Sequence, residues 1–281
     1  MARESSPTLR RRQLGTRFRE LRQNAGMTVE DVANRLMVSV AKVSRIETGA
    51  RGISPRDVRD LCDIYQVDSD ERERLMDLAR QSREHSWWQD YDLPFATFVG
   101  LEAAAASISV YESSLVPSLL QTEDYARALV QGMRPDLDRD AMQQRVEARL
   151  TRQLLLTAEG PPRYWAAIDE AALRRIVGGK AVMRRQLEEM TERAVAPSVT
   201  LVLVPFKAGA HPGMNSAFTL LHFEEAVSDV VYVESLAGYL YLQHSHDLDR
   251  YQQVINRLAE VGLSPKQSLA RIRAIARSYK E

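Results

Sequence analysis

The sequence predicts an α+β protein: an N-terminal five-helix domain followed by a mixed α/β domain with about five strands. Three observations predict it. The first stretch is punctuated by helix starts and stops at short intervals. Beyond residue 100, helical stripes alternate with apolar runs of strand length. Charge also divides the chain. Residues 1–59 hold 13 Arg and Lys against 6 Asp and Glu, and the whole chain has net charge zero, so the remainder is acidic. A length of 281 residues, 44 % apolar and 27 % charged, suits one large or two ordinary cores.

Residues 1–8 are polar and expected to be disordered. A first helix is expected over 9–24, with Leu14, Phe18 and Leu21 at helical spacing and Gly26 as its stop. Thr28 starts the second helix, with Asp31 three residues on as a capping box and Val32, Ala33 and Leu36 as its apolar stripe. Met37 and Val38 make a turn. Ser39 caps a third helix whose Val43 and Ile46 face inward, and Gly49 ends it. Ser54-Pro55-Arg56-Asp57 is a strong start signal for the fourth, which carries Val58, Leu61 and Ile64. A fifth begins near Asp68 and reaches toward Trp87-Trp88. These helices make one domain, 1–84. Residues 85–100 read as a packed, aromatic-rich connector containing Trp87, Trp88, Tyr91, Phe95 and Phe98.

The second domain is expected over 101–281. Helical patterns fall at 101–112, 122–132, 138–158 and 180–195. Strand patterns fall at 163–168, 199–206, 217–223, 229–235 and 239–243. Val199-Thr200-Leu201-Val202-Leu203-Val204 is apolar on both faces and reads as a central buried strand. Two helices close the chain, the last opened by Ser264-Pro265-Lys266-Gln267.

Several functions are expected to be absent. No run approaches the roughly 18 apolar residues of a membrane span, and the N-terminus lacks the apolar core of a secretory signal, so a cytoplasmic protein is expected. Cys62 is the single cysteine, which excludes an internal disulfide and a zinc knuckle; it lies on the apolar face of the fourth helix and reads as core. Gly178-Gly179-Lys180 lacks the spacing of a phosphate loop. His244 and His246 read as surface histidines on a strand, with no metal-site partners around them. No catalytic residue, metal or cofactor is expected.

Two helices joined by a short turn are the elements of a helix-turn-helix, whose second helix lies in the major groove of double-stranded DNA. If Val38, Val43 and Ile46 face the core, then Ser39, Val40, Ala41, Lys42, Ser44 and Arg45 face outward. Together with the basic excess, they form a candidate DNA surface. A dimerisation module without DNA is the competing reading. The run Thr28-Val29-Glu30-Asp31-Val32-Ala33, then Val38-Ser39, then Lys42-Val43-Ser44-Arg45-Ile46-Glu47-Thr48-Gly49 resembles the Xre family of phage-repressor-type regulators. The resemblance covers about residues 12–68. It implies an Arg22–Glu47 pair locking two helices. Arg45 is the best base reader, through a bidentate contact to guanine. Ser39, Lys42, Ser44 and Arg51 are phosphate or mixed contacts, while Val40 and Ala41 can only touch thymine methyls or fit groove shape. Two positions depart from the family: Val29 stands where Gln commonly contacts phosphate, and Met37 where Gly commonly adopts positive φ, at a strain of about 1 kcal/mol.

The segments Val116–Ala128, Asp169–Leu173 with Gly178-Gly179, Val204–Phe206, Gly209–Gly213, Phe218–Leu220 and Val231–Glu234 resemble the domain of unknown function found behind such motifs in antitoxin-like bacterial regulators. That resemblance implies a receiver for a small protein encoded by a neighbouring gene, or for an effector. Trp87, Trp88, Gln121 and His211 are the candidate effector or partner region. Gln121-Thr122 reads more readily as a helix start, with Thr122 as its cap, than as a ligand site, and Gly209–Gly213 equally as a tight turn between two strands. The expectation is a homodimeric transcription regulator, a repressor or autoregulator. An antitoxin-like module devoted mainly to a protein partner and a small-molecule-sensing repressor are the alternatives.

Overall fold

A computed structural model describes residues 6–224 and 227–279. The fold is α+β. The chain divides into two compact units, one reaching Ala104 and the other running from Ala105 to Phe223 and again from Ser228 onward.

The first unit contains α1 (Pro7–Asn24), α2 (Val29–Arg35), α3 (Val40–Glu47), α4 (Pro55–Ile64), α5 (Ser69–Gln81), a 3-10 turn at Trp87–Asp90 and α6 (Ala96–Ala104). Each of α1 to α5 starts on a side-chain cap, from Ser6, Thr28, Ser39, Ser54 and Asp68. Of the polar stretch 1–8, residues 1–5 lie outside the described residues, and Ser6, Pro7 and Thr8 form the cap and first turn of α1. Three helices end in one motif, with a left-handed residue after the helix and the next amide bonded five residues back. Gly26 serves α1, Met37 serves α2 and Gln66 serves α4, with Val38 N–H donating to Ala33 O at 2.9 Å. Glycine is the residue this position favours, and two of the three carry a side chain instead. The core holds Leu14, Phe18, Val32, Ala33, Val43, Ile46, Val58, Leu61 and Leu75, with Cys62 among them; burial raises the Cys62 thiol above its ordinary value.

The fifth helix stops at Gln81, short of Trp87. Arg83 and Glu84 make tight bonds three residues back, at 3.0 and 3.2 Å, which ends the helical ladder. The aromatic stretch after it packs within this unit. Ser6 accepts from Leu9 N–H and donates to Gly100 O at 2.5 Å. A Cβ on Gly100 would collide with the side chain of Thr8.

The second unit contains β1 (Ser107–Glu112), α7 (Glu123–Met133), α8 (Arg139–Gln153), β2 (Arg163–Asp169), α9 (Glu170–Arg174), α10 (Lys180–Arg193), β3 (Val199–Val204), β4 (Phe218–His222), β5 (Val230–Ser235), β6 (Gly238–Leu242), α11 (Ser245–Val261) and α12 (Pro265–Ser278). They build one six-stranded sheet in the order β3-β2-β1-β4-β5-β6. The first three strands are parallel and the rest antiparallel. Alternate residues Val202, Val204, Phe218, Leu220, Val231 and Val233 line one face and pack against Ile255 and Leu258 of α11.

Three expectations are corrected. The helix expected over 101–112 ends at Ala104, and β1 takes its second half, as the alternating Ser107-Ile108-Ser109-Val110 allows once β2 and β4 flank it. Val199–Val204 is a terminal strand of the sheet, not a central one. Val202 and Val204 on one face pack against α11, and the outer edge is covered by the start of α12, where Ser268 Oγ accepts from Leu203 N–H at 2.9 Å and the preceding Leu263 N–H donates to Leu203 O at 2.9 Å. His244 and His246 lie at the start of α11, not on a strand.

Candidate nucleic-acid interface

The starts of α2 and α3 are both fixed by side-chain caps. Thr28 N–H donates to Asp31 Oδ2 at 2.8 Å and Asp31 N–H to Thr28 Oγ1 at 3.1 Å. The Thr28 hydroxyl and amide hold the Asp31 carboxyl below its ordinary value. Ser39 Oγ accepts from Lys42 N–H at 3.2 Å and fixes the start of α3. Ala33, small and buried, lets α2 approach α3, while Val43 and Ile46 turn into the core.

Against α1, two features anchor α3. Arg22 donates to Glu47 through Nε (2.6 Å) and Nη2 (3.0 Å), and through Nη1 to Met27 O at 2.9 Å. The side chains are 11 % and 4 % exposed, and the Glu47 hydrogen bonds raise the Arg22 guanidinium further above its ordinary value. The second feature is Gly15. A Cβ there would collide with Ile46 O and sit 2.9 Å from Glu47 O, so α1 touches the end of α3 backbone to backbone. Gly15 was not singled out from sequence, because a glycine inside a helical stripe carries no local signal of what crosses it.

With that side anchored, Ser39, Val40, Ala41, Ser44 and Arg45 are exposed, as is Arg51 in the loop beyond. Among the described residues, Arg45 makes only a hydrogen bond to its own helix, Nε to Ala41 O at 3.2 Å, so its guanidinium retains donors for an outside acceptor. Lys42 is placed differently. Its ammonium is 2.9 Å from Asp57 Oδ2, with side chains 21 % and 17 % exposed. Burial pushes the Asp57 carboxyl up, but hydrogen bonds from Lys42 and Ser54 outweigh it and leave it below its ordinary value. Lys42 therefore ties α3 to α4, and any phosphate would share its charge with Asp57. The two departures also have structural counterparts. Val29 packs on the core, and Met37 stands 88 % exposed at φ +54°.

The remaining candidate residues fall into different environments. Trp87 and Trp88 belong to the first unit, Gln121 and His211 to the second. Gln121 is buried and its amide is engaged at both ends, donating to Val116 O at 2.7 Å and accepting from Arg149 at 2.9 Å. It braces the approach to α7, whose cap is Thr122. His211 is also buried at its ring. Nε2 lies 3.5 Å from Asp169 Oδ2, and the ring stands edge-on to Tyr111 at 5.9 Å; among the described residues, neither His211 Nδ1 nor the buried Tyr111 hydroxyl has a hydrogen-bond partner. Sequence reasoning missed Glu112. Its register places it on the same sheet face as Glu234, and burial, then the Glu234 charge, push its carboxyl up to about 8 against the pull of Arg149. Among the described residues, no cluster of three or more His, Cys, Asp and Glu is placed to hold a metal ion, and no helix is long and apolar enough to cross a membrane.

Comparison with known proteins matches residues 13–75 to a helix-turn-helix domain and residues 95–274 to a domain of unknown function, DUF5753. Neither a curated protein nor a solved structure matches the chain.

Proposed function

Because this chain belongs to the DUF5753 family and carries a helix-turn-helix ahead of that domain, we propose that it is a sequence-specific transcription regulator of the Xre type that docks α3 in the major groove. The observation that carries this reading is the exposed row Ser39, Val40, Ala41, Ser44 and Arg45, on a helix whose other side is anchored by Glu47 and by Ile46 against Gly15. Arg45 reads a guanine, Val40 and Ala41 meet thymine methyls or the groove wall, and Ser39, Ser44 and Arg51 contact phosphate or base. One unit reads few base pairs, so the reading includes a homodimer on a near-palindromic site, with recognition helices about 34 Å apart. Repression or autoregulation in the cytoplasm is the expected setting.

The test is fluorescence anisotropy with DNA from upstream of the protein's own gene, against scrambled DNA, at about physiological salt. Selective binding is expected, and Arg45→Ala should cost about 1–3 kcal/mol and relax preference at one base pair. Equal binding of wild type and Arg45→Ala overturns the docking model.

A second reading concerns the DUF5753 unit as receiver of a protein signal, in an antitoxin-like arrangement. Phe206 and Met214, standing into solvent on the turns after β3, favour a protein partner. Co-purification with the product of a neighbouring gene, lost on Phe206→Ser, is the expected result.

A further inference from the structure

The last helix of the second unit differs in charge from its neighbours. Beyond residue 59 the chain carries an acidic excess, and α7, α8, α9, α10 and α11 each include at least one Asp or Glu. Within Pro265–Ser278, α12 includes none and carries Lys266, Arg271, Arg273 and Arg277. Arg271 is committed, 2.9 Å from Glu170 Oε1, a carboxylate that it shares with Arg174. The other three are exposed, and among the described residues none of them has a hydrogen bond or an ion pair.

Helical geometry puts these three in one row. At 3.6 residues per turn, positions 266, 273 and 277 fall within about 40° of one another. They lie opposite the buried stripe of Ser268, Ile272, Ile275 and Ala276. Exposed Ala270 shares the row, so no large apolar side chain interrupts it. The row covers about 16 Å of helix axis, roughly half a turn of duplex DNA.

The stability of α12 does not call for this arrangement. Lys266 sits in the first turn, where the positive end of the helix dipole disfavours a cation. Arg277 gains from the negative end of the dipole, but Arg273 stands four residues before it, and like charges at that spacing repel. The row is therefore suited to a charge outside the helix. It has no aromatic or aliphatic anchor of the kind that centres a protein interface or sinks a helix face into lipid. Phosphates need no such anchor, because Lys and Arg neutralise them at the surface.

We infer that the outer row of α12 contacts the phosphate backbone of duplex DNA, as a second, sequence-independent contact besides the helix-turn-helix. The inference rests on the reading of the chain as a DNA-binding protein, though not on the choice of Arg45 as base reader.

The test is anisotropy across a range of salt, with the full chain, the duplex from upstream of its own gene and a scrambled duplex of equal length. Lys266→Gln/Arg273→Gln/Arg277→Gln should weaken both duplexes alike, by about tenfold or more near physiological salt, and flatten the slope of log affinity against log salt by about 2–3. Arg139→Gln/Arg163→Gln/Arg250→Gln removes the same net charge at exposed positions elsewhere in the unit and should change neither quantity. An unchanged affinity and slope in the α12 variant, or an equal loss in the control variant, overturns the inference. A loss confined to the upstream duplex also overturns it, since backbone contacts carry no sequence preference. If the α12 variant melts early, Arg273→Gln alone should still flatten the slope by about 1, and an unchanged slope there overturns the inference. Binding to phosphatidylglycerol vesicles that the α12 variant loses, with its DNA binding intact, assigns the row to lipid instead. Wild-type binding by Arg45→Ala beside a weakened α12 variant defeats the docking of α3 and upholds the α12 contact. A wild-type chain that binds neither duplex defeats both.

Discussion

Replacing Glu47 tests whether α1 and α3 move as one body. Arg22 makes three hydrogen bonds, two of them to the Glu47 carboxylate at 2.6 and 3.0 Å. Glu47→Ala removes both charge-assisted bonds and leaves a guanidinium 11 % exposed, with the Met27 carbonyl as its remaining bond. Removing one partner of a buried pair costs about 3–5 kcal/mol; the water that reaches Arg22 lowers the expected loss to about 2–3 kcal/mol. That is a large share of the roughly 5–15 kcal/mol that holds a typical domain folded. Arg22→Leu added to Glu47→Ala withdraws the stranded charge, so the double variant should lose less than the sum, with a coupling of about 1–3 kcal/mol. The assay is urea unfolding followed by tryptophan fluorescence in the Trp165→Phe background, where Trp87 and Trp88 report the first unit. The midpoint should move while the slope stays constant. A loss below about 0.5 kcal/mol for Glu47→Ala, or strictly additive losses, would refute the lock.

Three further outcomes rest on separate features. Met37→Gly should stabilise the first unit by about 0.5–1 kcal/mol in urea, because it relieves a left-handed backbone at an 88 % exposed residue and glycine's greater unfolded freedom takes back only part of the gain. Gly15→Ala should destabilise by about 1–3 kcal/mol and weaken DNA binding, since its methyl group would press on Ile46 O and Glu47 O and push α3 away; an unchanged midpoint would contradict the backbone contact. The Glu112 carboxyl titrates from an ordinary 4.5 in the unfolded chain to about 8 in the folded one, so between those values the folded state keeps a proton that the unfolded state has released. Stability should therefore fall as pH rises through that window, by up to about 1.4 kcal/mol per pH unit, and Glu112→Gln should remove the slope; parallel melting profiles for the two proteins would count against it.

Local chemistry made much of the helical unit legible. Ser39, Ser54 and Asp68 announce helix starts because a side chain must accept the amides that the first turn leaves unpaired, and each does so here. The Arg22–Glu47 pair was legible through a resemblance, not through spacing, since no local rule joins residues that far apart. The sheet was less legible where a strand depends on neighbours distant in sequence. The run Ala103-Ala104-Ala105-Ala106 favours a helix and hides β1 behind it, and β1 exists because β2 supplies one neighbour and β4 the other.

The same dependence on distant partners explains β3 and Lys42. An apolar run tells that both faces of a strand are covered, but not by what. For β3 one face is answered by α11, and its open edge by α12, more than sixty residues later, through Ser268. A lysine on the outward side of a recognition helix likewise tells that a charge is present, but not whether it is committed. The Asp57 carboxylate is hydrogen-bonded by Ser54 at the start of α4 and pairs with Lys42, so one carboxylate joins the start of α4 to α3. The outward face of α3 thus divides by partner. Lys42 is tied to Asp57 of α4, whereas Arg45, among the described residues, is bonded only within its own helix, which is why the proposed docking gives base discrimination to Arg45.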